Sequence, residues 1–146
     1  MGQQRRCGII GGMSWESTLL YYQHINRLIG ERLGGLHSAD LLIHSVDFEP
    51  IAHLQHANDW AALGKQLATS ARALQLAGAE GIAIATNTMH YVASDIIDNI
   101  DVPLLHIGDA AATACRQQNV KRVGLLDTTA IHAEAIADWK LETHAV

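Results

Sequence analysis

The nine residues Ile82–His90, Ile-Ala-Ile-Ala-Thr-Asn-Thr-Met-His, limit what this chain can fold into more than any other stretch. A short apolar run stops at Thr86, Asn87 and Thr88, and a helix-like segment begins around Met89. An unalternating apolar run, then small polar residues, then a helix, is the pattern of a parallel strand ending inside an α/β sheet. Ligands in open sheets of that kind bind beyond the carboxyl ends of the strands, so these three polar residues stand where chemistry is done. Thr and Asn are also ordinary capping residues, and the same three could simply start the next helix.

The rest of the chain repeats the strand–helix alternation. Cys7–Ile10 reads as a strand ending in Gly11-Gly12-Met13-Ser14. From Trp15 to about Ile29, the residues Leu19, Tyr22, Ile25, Leu28 and Ile29 recur at helical spacing, with Ser14 placed to cap. Gly34-Gly35 breaks that helix, and Ala39–Val46 is a second strand closing on Asp47. Pro50 marks the next turn, and an amphipathic helical segment runs through Leu76. After Ile82–Ala85 come a helix from about Met89 to Asn99, a strand Leu104–Ile107 and a helix Asp109–Gln118. A fifth strand, Val123–Leu126, closes on Asp127-Thr128-Thr129, and a last helix spans Ala130 to about Leu141. The expected fold is α/β, one lobe with a parallel, doubly wound sheet flanked by helices. There is no internal repeat, low-complexity tract or linker.

A chain of 146 residues suits one domain with a sizeable core. With 17% charged residues, a net charge of −5 and ten Lys plus Arg spread thinly, no basic stripe marks a nucleic-acid partner. No apolar run reaches the roughly 18 residues of a membrane span. The basic start Met-Gly-Gln-Gln-Arg-Arg leads into a short strand rather than a signal segment, and Cys7 and Cys115 match no C-x-x-C pattern. The expectation is a cytoplasmic protein in a reducing compartment, with no membrane partner. Cys7 reads as a buried small residue, and nothing marks Cys115 as activated.

Polar residues thus close several strands: Gly11-Gly12-Met13-Ser14, Asp47, Thr86-Asn87-Thr88 and Asp127-Thr128-Thr129. Along one sheet edge they could form a small pocket of backbone N–H groups, hydroxyls and an amide, which suits a carboxylate. The glycines allow close backbone approach, and the helix start after Ser14 presents N–H groups to an anion. The spacing G-x-x-G-G is neither the dinucleotide fingerprint nor a Walker loop, so no cofactor is implied. Nine His are scattered without ligand spacing, and no metal is expected. His53 and His56 read as a solvated pair, while His24, His37, His44 and His106 have no sequence-local partner that marks them as catalytic.

Several blocks together resemble the aspartate/glutamate racemase family. They are Ile9-Ile10-Gly11-Gly12-Met13-Ser14-Trp15-Glu16-Ser17-Thr18, Leu33-Gly34-Gly35-Leu36-His37-Ser38-Ala39, His44-Ser45-Val46-Asp47-Phe48, Gly78-Ala79-Glu80-Gly81 and Thr86-Asn87-Thr88-Met89-His90. The resemblance runs from about Arg6 to Leu126, and Asp127–Glu134 is similar to the family's C-terminal end. It implies two similar α/β lobes with the site between them, each lobe supplying one catalytic residue, generally a Cys at a strand end. Many members have Cys-Asn-Thr where this chain has Thr86-Asn87-Thr88. That is similar to a subgroup in which Thr replaces the first Cys and the enzymes favour L-aspartate and L-glutamate. The subgroup often has Cys one place earlier, where Ala85 stands here. Thr86 is therefore carried over as the first-lobe acid/base, and Met13 and Ser14 backbone groups, Asn87 and Thr88 as the groups that hold substrate.

The chain departs from the family after Leu126, jumping from the opening of the second lobe into the family's closing Asp-Thr-Thr and final helix. The second lobe's Gly-Cys-Thr-Glu-like loop has no counterpart, and neither Cys7 nor Cys115 replaces its Cys. The expected partition of 1–146 is a first lobe 6–107, a second-lobe remnant 108–126, and a C-terminal helix 127–146 returning to the first lobe. Racemisation without pyridoxal phosphate needs two acid/base groups opposed across the α-carbon, and donors for the carboxylate and the developing enolate-like charge. A Thr hydroxyl alone is a poor base at neutral pH. The resemblance therefore implies an isomerase family with a small acidic amino acid as partner, in which this chain alone does not turn over. A binding lobe without catalysis, or a folded remnant, are the alternatives, and apolar surface left by the missing lobe would favour a homodimer.

Overall fold

The first strand, β1 (Cys7–Gly11), is buried along its whole length and lies at the centre of a parallel three-stranded sheet of order β2-β1-β3. The structure, a computed structural model, describes residues 4–119 and 129–142. Strand β2 (Leu41–Ser45) pairs with β1 from Cys7↔Leu41 to Gly11↔Ser45, and β3 (Gly81–Ile84) from Cys7↔Gly81 to Ile10↔Ile84. Side chains alternate between the faces, as the two-residue strand period requires. Ile10, Ile82 and Ile84 face one core with Leu63, Leu67, Ala71 and Leu74, whereas Cys7, Ile9, Ala83 and Ala85 face another with Tyr21, Ile25, Ile29 and Ile136. The sheet is thus wound with helices on both faces.

Helix α1 (Trp15–Leu33) starts where Ser14 Oγ accepts the Ser17 N–H at 3.3 Å. It ends at Gly34, whose φ of 73° suits glycine and whose N–H donates to the Gly30 carbonyl at 2.8 Å. The expected single segment through Leu76 is two helices, α2 (Phe48–His56) and α3 (Trp60–Leu76). Asn58 in the left-handed region (φ 57°) turns the chain, and Asp59 caps α3 by accepting the Ala62 N–H at 3.0 Å. Pro50 lies inside the first turn of α2, where a missing N–H costs nothing, and Asp47 caps that helix.

The expected helix Met89–Asn99 is a 3₁₀ turn, Thr88–Val92, followed by the short helix α4 (Ala93–Ile97). The expected strand Leu104–Ile107 shrinks to one parallel bridge between Leu104 and Ile82. Pro103 has no N–H to extend the ladder, and His106 already caps α5 (Ile107–Gln117) by accepting the Gly108 N–H at 2.9 Å. The expected strand Val123–Leu126 lies outside the described residues. Helix α6 (Thr129–Leu141) packs on α1, with Ala133, Ile136 and Ala137 buried beside Ile25 and Ile29. Lys140, fully buried, donates its Nζ protons to the Arg5 and Asp40 carbonyls at 2.6 and 2.7 Å, pinning α6 to the amino ends of β1 and β2. Among the described residues no helix is long and apolar enough to cross a membrane.

Candidate functional site

At the carboxyl end of the sheet the loop after β1 is held between its neighbours. The Val46 N–H donates to the Gly11 carbonyl and the Ala85 N–H to the Ile10 carbonyl, both at 2.9 Å. Gly12 has φ 88°, and a Cβ there would strike the Val46 backbone. Its N–H donates to Thr18 Oγ1 at 2.9 Å, and the Thr18 hydroxyl donates to the Ser14 carbonyl at 3.2 Å. Thr18, buried one turn into α1, therefore folds the Gly-Gly-Met-Ser loop against its own helix start. The signal was a Thr four residues after the cap, which helical spacing alone reads as a surface position.

Met13 puts its side chain into the core and leaves only its backbone for a ligand, while Ser14 is half-buried at the head of α1. The cap uses the Ser17 N–H, so those of Trp15 and Glu16 belong to the unpaired first turn. Across β1, Thr86 follows Ala85 half-buried, and Asn87 and Thr88 are exposed. Asn87 occupies the cap position of the 3₁₀ turn but its side chain makes no capping bond. The simple capping explanation of Thr86-Asn87-Thr88 therefore fails. Among the described residues their side chains form no hydrogen bond, which leaves a hydroxyl, an amide and a second hydroxyl for a ligand. Asp47 is committed elsewhere, accepting the Glu49 N–H at 3.3 Å as the α2 cap. Of the last polar strand end, Asp127 and Thr128 lie outside the described residues.

Behind Thr86 sit three histidines that local sequence patterns left without roles. His90 Nδ1 is 2.8 Å from the Thr86 carbonyl and 3.2 Å from that of Asn87, and its Nε2 accepts the Ile107 N–H at 3.2 Å. His132 Nδ1 is 2.7 Å from the Tyr21 hydroxyl, and its Nε2 is 2.5 Å from the Leu105 carbonyl. The His90 ring lies 4.6 Å from that of His106 and 5.7 Å from that of His132, centroid to centroid. Carbonyls only accept, so His90 Nδ1 and His132 Nε2 each carry a hydrogen, and His90, whose Nε2 accepts the Ile107 N–H, is neutral. Burial holds His90 below its usual 6.5, with His106 acting in the same direction, and pushes His132 down to about 4. With five of the six ring nitrogens engaged among the described residues, the cluster offers no ligand set for a metal. No group of three or more His, Cys, Asp or Glu among the described residues is arranged to hold one.

A cavity of about 430 Å³ lies between α5 and α6, lined in part by His106, Asp109, His132 and Glu134. It includes none of Met13, Ser14, Thr86, Asn87 or Thr88. Cys7, fully buried, is held near 12 chiefly by burial, so its thiol is inert at neutral pH.

The family model described as Asp/Glu/hydantoin racemase matches residues 10–146. This chain belongs to that family. A solved Asp/Glu racemase-type protein of Yersinia pestis is 50% identical to it, with a TM-score of 0.77 over 79% of this chain and 50% of its own. An aspartate racemase homologue from Pyrococcus horikoshii is 36% identical, with a TM-score of 0.72 over 78% of this chain and 50% of its own. This racemase-family chain therefore spans about half the length of those two relatives. The Picrophilus torridus aspartate racemase, 17% identical, shares the fold at a TM-score of 0.67, over 93% of this chain and 90% of its own.

Proposed function

We propose that this chain is a one-lobed member of the racemase family that binds the carboxylate of a small acidic amino acid, L-aspartate or L-glutamate, without racemising it alone. The observation that supports this most is the Thr86-Asn87-Thr88 trio, polar side chains at a strand end that neither cap a helix nor bond within the described chain. In this reading Met13 and Ser14 backbone groups, Asn87 and Thr88 hold the substrate, and Thr86 is the acid/base of one face. The family reaction, cofactor-independent, takes the α-proton from one face and returns a proton to the other. Residues 6–107 serve as the first lobe, 108–126 as the remnant of the second, and 127–146 as the returning helix. No described residue is placed opposite Thr86 as a second base, and a neutral Thr hydroxyl cannot replace one.

The test is proton NMR in D₂O with L-aspartate and L-glutamate, using the wild type and Thr86→Ala. Ligand-induced shifts in the Thr86–Thr88 amides without α-proton exchange are the expected result. Exchange above background that Thr86→Ala removes would instead mean a working site, completed by a second copy. No shift and no exchange would reduce the chain to a folded remnant. Self-association in a cytoplasmic setting belongs to the same reading. Trp15, Leu19, Leu20 and Tyr22 on α1 all remain exposed, Trp15 at 64%.

A further inference from the structure

The Thr86-Asn87-Thr88 segment owes its shape to one side chain beyond it. In a continuous α-helix the His90 N–H would reach back four residues to the Thr86 carbonyl. Here the His90 N–H bonds the Asn87 carbonyl at 3.1 Å, a three-residue reach, and the Thr86 carbonyl faces the His90 imidazole instead. The same ring accepts the first N–H of α5, that of Ile107, at 3.2 Å. One neutral imidazole thus joins the loop after β3 to the head of α5, and the rings of His106 at that helix head and of His132 on α6 lie edge-to-face against it.

We propose that His90 is the positioning residue of the carboxylate site: its Nδ1–H holds the Thr86 carbonyl, and Nε2, anchored on Ile107, fixes the ring from which it does so. The tight turn that results keeps Thr86, Asn87 and Thr88 turned away from their own backbone. His90 touches no ligand and is not a base, because both of its nitrogens are committed. This inference rests on the reading of Thr86–Thr88 as the ligand-binding segment.

Two conservative replacements divide the two bonds. An Asn amide places a donor near Nδ1, whereas a Gln amide places an acceptor near Nε2. His90→Asn, His90→Gln and His90→Ala are compared with wild type by ¹⁵N–¹H NMR titration with L-aspartate, with the thermal midpoint of each measured alongside. Positioning through Thr86 predicts that Asn keeps affinity within about twofold, while Gln and Ala lose about tenfold, the worth of one well-placed hydrogen bond. The amides of Thr86, Asn87 and Thr88 move in the Gln and Ala variants and hold in the Asn variant. Equal affinity in all four proteins overturns the inference, as does a loss that follows the thermal midpoint rather than the donor. Should wild type bind no acidic amino acid, the proposed function fails while the positioning claim is still decided by the loop amides. Loop amides unchanged in all three variants would then overturn the positioning claim.

Discussion

Thr18 and Asn87 show how little a residue's type says about its work. Asn87 is a common capping residue at a capping position, yet it caps nothing. Asn87→Ala should therefore change stability by less than about 0.5 kcal/mol while abolishing the L-aspartate shifts, which urea melts and NMR titration check together. Asp59 looks equivalent in sequence but does cap, through the Ala62 N–H at 3.0 Å, so Asp59→Ala should cost about 1 kcal/mol in the same melts. Thr18 was assigned no role in the sequence, yet its Oγ1 is the partner of the buried Gly12 N–H. Thr18→Val keeps the shape and removes that acceptor. We expect a loss of about 2 kcal/mol from the orphaned N–H and a weakened ligand response, because the Gly-Gly-Met-Ser loop is freed at its centre.

Among the elements, α6 depends most on contacts distant in sequence. Lys140 joins it to the carbonyls of Arg5 and Asp40, and the Arg5 guanidinium lies 4.5 Å over the Trp139 ring. Lys140→Met retains the apolar stem but removes the Nζ donor from the Arg5 carbonyl and leaves the Asp40 carbonyl with the Cys7 N–H alone, an expected loss of about 1–3 kcal/mol by urea denaturation. Hydrogen exchange in α6 should quicken before that in β1. Helix α1 was legible in sequence almost to its ends, and α3 at its C-terminal end, whereas the break at Asn58 that separates α2 from α3 was not. The other elements that differed were short and tertiary in origin. The Met89–Asn99 helix became a 3₁₀ turn because an imidazole faces its Thr86 carbonyl, and the Leu104–Ile107 strand became a bridge because Pro103 and the His106 cap limit its ladder.

For the whole molecule, the neutral histidines make stability depend on pH. His132 titrates near 4 in the fold, below its usual 6.5, so between those values the unfolded chain binds the extra proton. Its contribution is complete above pH 6.5, falls as pH drops through that window, and amounts to about 3 kcal/mol. His90 acts in the same direction, whereas Asp40, held below the usual carboxylate range by Arg6, adds its own loss only at lower pH. Urea denaturation at pH 7 and pH 4.5 should show the difference, and His132→Gln should flatten it. Sedimentation should show self-association that weakens on replacing Trp15 and Tyr22 with Ser, since both are exposed on α1.

The alternation of strands and helices, the placing of polar residues at strand ends and the candidate trio Thr86-Asn87-Thr88 were all written locally. Hydrophobic period and turn chemistry act over a few residues, so they can be read without the fold. The family resemblance implied roles for Met13, Ser14, Thr86, Asn87 and Thr88 among those positions and none for Asp47. The use of His90, His106 and His132 could not be read in that way. A histidine's tautomer, charge and partners depend on which carbonyls and N–H groups the packed chain brings to it. His132 meets Tyr21 across 111 positions of sequence, and Lys140 meets Arg5 across 135. Those pairings, and the choice of a tight turn over a helix after Thr86, are settled where buried polar groups must find partners, and only the assembled core brings those partners within reach.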